Sequence, residues 1–277
     1  MVDRDFVRQV GFLKWATRFG WLQFRKRVLK QDSRLRLPTG LTIELPRQSG
    51  SATEVFVTNA DIDWGAEALF VRFADPARDF LDIGAHIGYY AAYLSPRVRR
   101  VYAFEPDPRN LPGIRANSRL AGNVEIVAAA VSSRDGVAPL HVGRSSALTS
   151  LEGDGTGVTV DVPLLRIDTF CAAHPGIRVG LVKTDIEGHD LEALRGMAQM
   201  VARDQPLILT ECNSHAEVAA LCREWRYTIL AFTRDRRTFT VSLQRMAGDE
   251  FAACWFKMLF LVPAHLDATF TAEITNS

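Results

Sequence analysis

The chain has 277 residues, room for one large domain with attached elements. Hydrophobic residues make up 47% and charged residues 23%, a balance that excludes disorder for most of the chain. The net charge of +1 gives no global field for nucleic acid, so no nucleic-acid partner is expected.

Residues 1–30 carry eight Lys or Arg against Asp3 and Asp5, a local +6 that leaves −5 on the rest. Between the charges, Phe6, Val7, Val10, Leu13, Trp21, Phe24 and Val28 recur at near-helical spacing, with Gly11 and Gly20 as weak points. Such a helix either packs on its own domain or makes peripheral contact with a membrane or partner. No apolar run approaches the roughly 20 residues that span a bilayer, and no uninterrupted signal-peptide core is present. The four cysteines, Cys171, Cys212, Cys222 and Cys254, form no CxxC pair, so a disulfide framework and a zinc site are not expected. These features predict a cytoplasmic protein, with the N-terminal helix as a peripheral membrane element in the second reading.

"LRLPTGLTIEL" (35–45) alternates around Thr39-Gly40 and predicts a hairpin. "EVFVTN" (54–59) reads as a third strand, and "DWGAEALFVRFA" (63–74) as a helix. From residue 79, short Val/Ile/Leu-rich runs alternate with amphipathic segments: "DFLDI", "RVYAFE", "NVEIVAA", "GLVKTD" and "PLILTE". That alternation predicts an α/β fold around a mostly parallel sheet covered on both faces. Residues 137–168 read as an inserted pair of strands, and 227–262 as antiparallel strands closing the sheet. The expected division is a basic helix-and-hairpin appendage at 1–60 and a cofactor-binding domain at 61–277.

"FLDIGAHIGYY" (80–90) ends a strand with Asp82 and enters a helix through Gly84 and Gly88. Glycine there permits backbone conformations and close approaches that a side chain blocks. Glu105 ends the next strand, where an acid accepts hydrogen bonds from ribose hydroxyls. Loop and acid together imply a nucleoside cofactor. The Gly-x-x-x-Gly spacing, with His86 in between, lacks the pyrophosphate pattern of a dinucleotide site. It favours S-adenosylmethionine, which has a ribose, an amino-acid end and no phosphate. In "LVKTDIEGHDLEALRG" (181–196), Lys183, Asp185 and Glu187 alternate at a strand end. Asp190 and Glu192 read as acids decorating a helix N-terminus. Glu211 falls on the neighbouring strand end, so Asp185, Glu187 and Glu211 are the candidate catalytic acids. Ser214 and His215 fit a helix cap and a surface position, and Thr149 and Ser150 fit either a turn or the substrate mouth. The acid–His spacing near 185–190 matches no zinc signature, and no metal is expected.

"FLDIGAHIGYY", "VYAFEPDPRN", "VKTDIEGHD" and "FKMLFLVP" occur in this order, and the chain resembles the FkbM-type methyltransferases from about residue 35 to 263. The resemblance implies a class I methyltransferase, Rossmann-like fold with an antiparallel C-terminal strand. It implies O-methyl transfer from S-adenosylmethionine to a hydroxyl of a sugar, glycolipid or natural product. It assigns Asp82, Gly84, Ala85, Gly88, Glu105 and the adjoining Pro106 to the cofactor, and Asp185 and Glu187 to the active site. His86 stands where the family usually has Asn, and a cofactor contact and a structural role are equally open to it. A nicotinamide-dependent oxidoreductase and a non-enzymatic membrane adaptor are the competing functions; oligomeric state is not legible.

Overall fold

The computed structural model describes residues 4–142, 158–235, 237–247, 251 and 254–276. The N-terminal segment folds as α1 (Arg4–Val10), α2 (Phe12–Phe24) and a π-helical turn (Arg25–Leu29). Gly11, at φ 83°, breaks the first two apart, whereas Gly20 lies inside α2 without interrupting it. The predicted hairpin is β1 (Ser33–Arg36) paired antiparallel with β2 (Thr42–Leu45).

The expectation of a strand at 54–59 is corrected: Ser51–Thr58 is a helix, α3. Ser49 caps it, its Oγ accepting the Ala52 N–H at 3.2 Å, and Asn59 ends it in the left-handed region at φ 62°. Ala52 and Val55, three apart, are both fully buried. Burial of a helical face thus overrides the strand preference of Val55, Phe56 and Val57. Helix α4 (Ala66–Arg72) follows as predicted, entered through Gly65.

The five apolar runs form β3 (Asp79–Ile83), β4 (Val101–Phe104), β5 (Val124–Val127), β9 (Val179–Thr184) and β10 (Leu207–Thr210). With β11 (Tyr227–Arg234), β12 (Val241–Arg245) and β13 (Trp255–Pro263) they make an eight-stranded sheet of order β12-β11-β13-β10-β9-β3-β4-β5. The pairs β4–β5, β3–β4, β3–β9 and β9–β10 are parallel. Strand β13 is antiparallel to both β10 and β11. Every pairing of these three late strands is antiparallel, as expected, and two reversals leave β11 running in the direction of the parallel set. Only β13 and β12 oppose that set in this sheet.

Alternate residues feed two apolar layers. Phe80, Leu181, Leu207 and Leu209 pack on one face with the hairpin residues Leu35 and Ile43 and with Val55 of α3. Leu81, Ile83, Val182 and Ile208 pack on the other with Leu194 and Met197. Residues buried on both faces explain why these strands read as continuous apolar runs. The inserted strands are β7 (Gly136–Val142) and β8 (Val158–Leu165), antiparallel, joined by the short β6 (Ala130–Val131) into a separate three-stranded sheet. Thr149 and Ser150 lie outside the described residues.

Candidate functional site

The carboxyl ends of β3, β4, β9 and β10 open on a cavity of about 370 Å³. Helix α3 and Lys257 of β13 close one side, and Ala130, Val131 and Leu140 of the small sheet contribute to the other. A ligand crevice outside the carboxyl ends of parallel strands is what this topology provides.

Asp82, on β3, is fully buried, and neither carboxylate oxygen makes a well-formed hydrogen bond. Burial pushes its pKa up to about 6, against the lowering effects of Lys183 and the Ala91 amide. Lys183 Nζ stands 3.9 Å away and donates to the Gly84 carbonyl at 3.0 Å. Glu105 follows β4, and its two oxygens accept the N–H groups of His86 and Asp107, each at 2.8 Å. Burial still dominates and raises it to about 7. Asp107, itself buried, accepts from the Arg109 backbone and guanidinium, which fixes the loop after Glu105.

Gly84 lines the cavity, and the close approach it permits is to protein backbone. At φ 77°, a Cβ there would stand 2.1 Å from the Asp185 carbonyl oxygen. The glycine lets β3 and the turn after β9 close on each other. Gly88 is not among the cavity-lining residues. It caps α5 (Tyr89–Leu94) at φ 79° and faces α6 (Leu111–Ala121), where a Cβ would lie 3.4 Å from Ile114 Cα. Ala85 and Pro106 do line the cavity. His86 lines it at φ 51°, its Nδ1 3.0 Å from Ser51 Oγ of α3. Burial, and then Lys183, lower its pKa, so the neutral imidazole is favoured.

Asp185, Glu187 and Glu211 all line the cavity, but not by strand alternation. β9 ends at Thr184 and the chain turns, Glu187 adopting φ 50°, so the strand alternation does not persist through Glu187. Asp185 Oδ2 lies 3.3 Å from Lys183 Nζ. Burial opposes its ionisation, but Lys183 and a hydrogen bond from Glu211 outweigh that and hold its pKa below the usual value. Glu211 is driven the other way, by burial and by the Asp185 charge it faces. The two facing carboxyl groups disfavour joint ionisation, so their titrations are linked. Glu187 stands exposed at the rim, its pKa raised by partial burial and then by Asp185 and Asp190.

Several lining residues escaped assignment from sequence. Tyr90 donates its hydroxyl to Asp63 Oδ2 at 2.6 Å, and Lys257 Nζ reaches Glu54 Oε1 at 3.1 Å. Lys183 and Tyr90 lie within recognised motifs, so a signal existed. Glu54 and Asp63 had none, because their segments carry no strand-end pattern. His215 is outside the cavity, stacked on Phe251 with ring centroids 4.7 Å apart. Among the described residues, no group of three His, Cys, Asp or Glu side chains is placed to hold a metal ion.

A Rossmann-like α/β sheet, mostly parallel, with an antiparallel strand inserted next to its last parallel strand and acids at the first two strand ends, defines a class I methyltransferase fold. The methyltransferase FkbM domain profile matches residues 82–237, and the chain belongs to that methyltransferase family. Among curated proteins it is similar to hexuronic acid methyltransferase AglP of Haloferax volcanii, 27% identical over 168 residues that cover 53% of this chain and 68% of that protein. Among solved structures it is similar to the methyltransferase FkbM of Methylobacillus flagellatus KT, with TM-score 0.43 and 14% identity. That match covers 93% of this chain and spans 60% of the length of that one. The tRNA (uracil-54, C5)-methyltransferase of Pyrococcus abyssi, solved with S-adenosyl-L-homocysteine, matches with TM-score 0.42 and 14% identity, over 83% of this chain and 44% of that one.

Proposed function

We propose that the protein is an S-adenosylmethionine-dependent O-methyltransferase acting on a hydroxyl of a sugar-like acceptor. One observation carries the cofactor reading: two buried carboxylates, Asp82 and Glu105, end adjacent parallel strands and face one cavity. Buried polar atoms short of hydrogen bonds are costly, and the Asp82 oxygens lack well-formed ones. An ammonium group donating to Asp82 would satisfy it, and Glu105 keeps lone pairs free to accept from ribose hydroxyls. Family membership favours this reading over a nicotinamide-dependent oxidoreductase, and the similarity to a hexuronic acid methyltransferase supports a sugar-like acceptor.

When bound, S-adenosylmethionine supplies a methyl group on a positively charged sulfur, an electrophile for oxygen. The chain supplies position and a proton sink. Asp185, kept ionised by Lys183 and Glu211, accepts a hydrogen bond from the acceptor hydroxyl and aims its oxygen. The same partners make Asp185 a weak base. Glu187, with its raised pKa, is the better group to hold the proton given up by the acceptor hydroxyl.

The test is methyl transfer measured by mass spectrometry against a panel of hexosides, hexuronosides and lipid-linked or polyketide alcohols. Asp185→Asn is expected to lower kcat by about 10²-fold and to leave cofactor affinity within a few-fold. Unchanged kcat in that variant would remove Asp185 from the reaction.

A further inference from the structure

Helix α2 and the π-helical turn after it present two unlike faces. The inner face is fixed to α3. Leu22 is fully buried, and Arg18 Nε donates to the Phe56 carbonyl at 2.8 Å, its guanidinium 4.9 Å from that ring. Lys26 Nζ reaches Thr53 Oγ1 at 2.7 Å. The outer face carries Leu13, Trp21, Phe24 and Val28 along one helical stripe, respectively 75%, 52%, 44% and 64% exposed. With Phe12 and Leu29, this segment holds six of the ten exposed large apolar side chains among the described residues. An outward helix face on a globular protein is ordinarily polar, and a clustered apolar patch marks an interaction site.

The charges on this segment say what kind of partner covers it. No Asp or Glu occurs from Phe6 to Gln31. Lys14, Arg27 and Lys30 are exposed among the apolar residues. Trp21 and Phe24 stack with centroids 5.9 Å apart, a pair of the type that settles at headgroup depth. No helix among the described residues is long and apolar enough to cross a bilayer, so the segment would lie along a surface. A second copy of the chain would set this cationic face against its own like charge.

We infer that the outer face of α2 and the following turn binds an anionic lipid bilayer, with Trp21 and Phe24 at the headgroup boundary and Lys14, Arg27 and Lys30 on the lipid charge. Helix α3 carries α2 on one side and lines the cavity with Ser51, Glu54 and Val55 on the other. The membrane face is therefore one helix away from the candidate active site. This inference does not depend on methyl transfer.

The experiment is co-flotation of the full chain with phosphatidylcholine vesicles that contain or lack phosphatidylglycerol. Binding to the anionic vesicles alone is expected, weakened by salt. Trp21→Ser with Phe24→Ser should reduce it at least about tenfold, and Lys14→Gln or Lys30→Gln about fivefold each. These positions are exposed, and an unchanged circular dichroism melt would show that the variants fold. Failure to float with anionic vesicles overturns the inference, as does equal flotation of the double aromatic variant. A concentration-dependent dimer in light scattering that the same double variant abolishes would also overturn it, showing that a second copy covers the face.

Discussion

Glu105 and Asp82 are more basic than ordinary carboxylates because both are buried, and that has a defined pH signature. Their unfolded pKa values are about 4, and the folded values are about 7 and about 6. A raised folded pKa means that the folded state binds more protons over that interval. Their stabilising contribution is complete below about pH 4 and is lost as pH rises through about 6 and 7. Urea denaturation of the ligand-free protein should therefore show stability from these groups falling across that window. Glu105→Gln should flatten the fall, and an unchanged slope would contradict the burial argument. Affinity for S-adenosylmethionine should run the opposite way, rising through pH 6–7 as both groups ionise and become pure acceptors. At Gly84, the space for a methyl group is occupied by the Asp185 carbonyl, and the backbone is left-handed. Gly84→Ala should cost about 2 kcal/mol or more of stability in urea denaturation. A cost below a few tenths would show that β3 and the turn after β9 do not need this contact.

Helix ends were less legible than strands. The helix His215–Trp225 ends at Arg226 in the left-handed region, φ 60°, on the surface. Glycine adopts that conformation without the steric penalty, so Arg226→Gly is expected to stabilise by about 1 kcal/mol in urea denaturation. Destabilisation would show that the Arg226 side chain contributes more than its backbone costs. The strands of the parallel sheet were readable because burial on two faces leaves a continuous apolar run. Asp82, Glu105, Asp185 and Glu211 were readable as site candidates because they directly end such runs. Helix α3 was misread because Val55, Phe56 and Val57 favour strands, while the packing that makes them helical comes from residues far away in sequence. Glu54 and Asp63 were missed with it, since their place on the cavity depends on that packing.

At the scale of the whole molecule, the N-terminal elements and the sheet share both a core and a cavity. Leu35, Leu37, Ile43 and Leu45 of the hairpin region and Val55 of α3 are buried in the same apolar cluster as Phe80 and Phe260. Ser51 and Glu54 line the cavity opposite Lys183 and Asp185. A protein reduced to residues 61–277 should therefore lose cooperative unfolding, and with it one cavity wall. A sharp urea transition in that fragment would show that the first 60 residues are energetically dispensable. The charge asymmetry, +6 on residues 1–30 against −5 elsewhere, places the basic surface on an element whose inner face is already committed to packing. In the proposed function, Asp82 and Glu105 hold a nucleoside sulfonium. The most direct measurement is titration calorimetry of S-adenosylmethionine into the full chain and into Glu105→Ala. Saturable binding to the full chain, weakened at least about tenfold in the variant, is the predicted result. Equal affinity in the two proteins, or no binding to either, would contradict it.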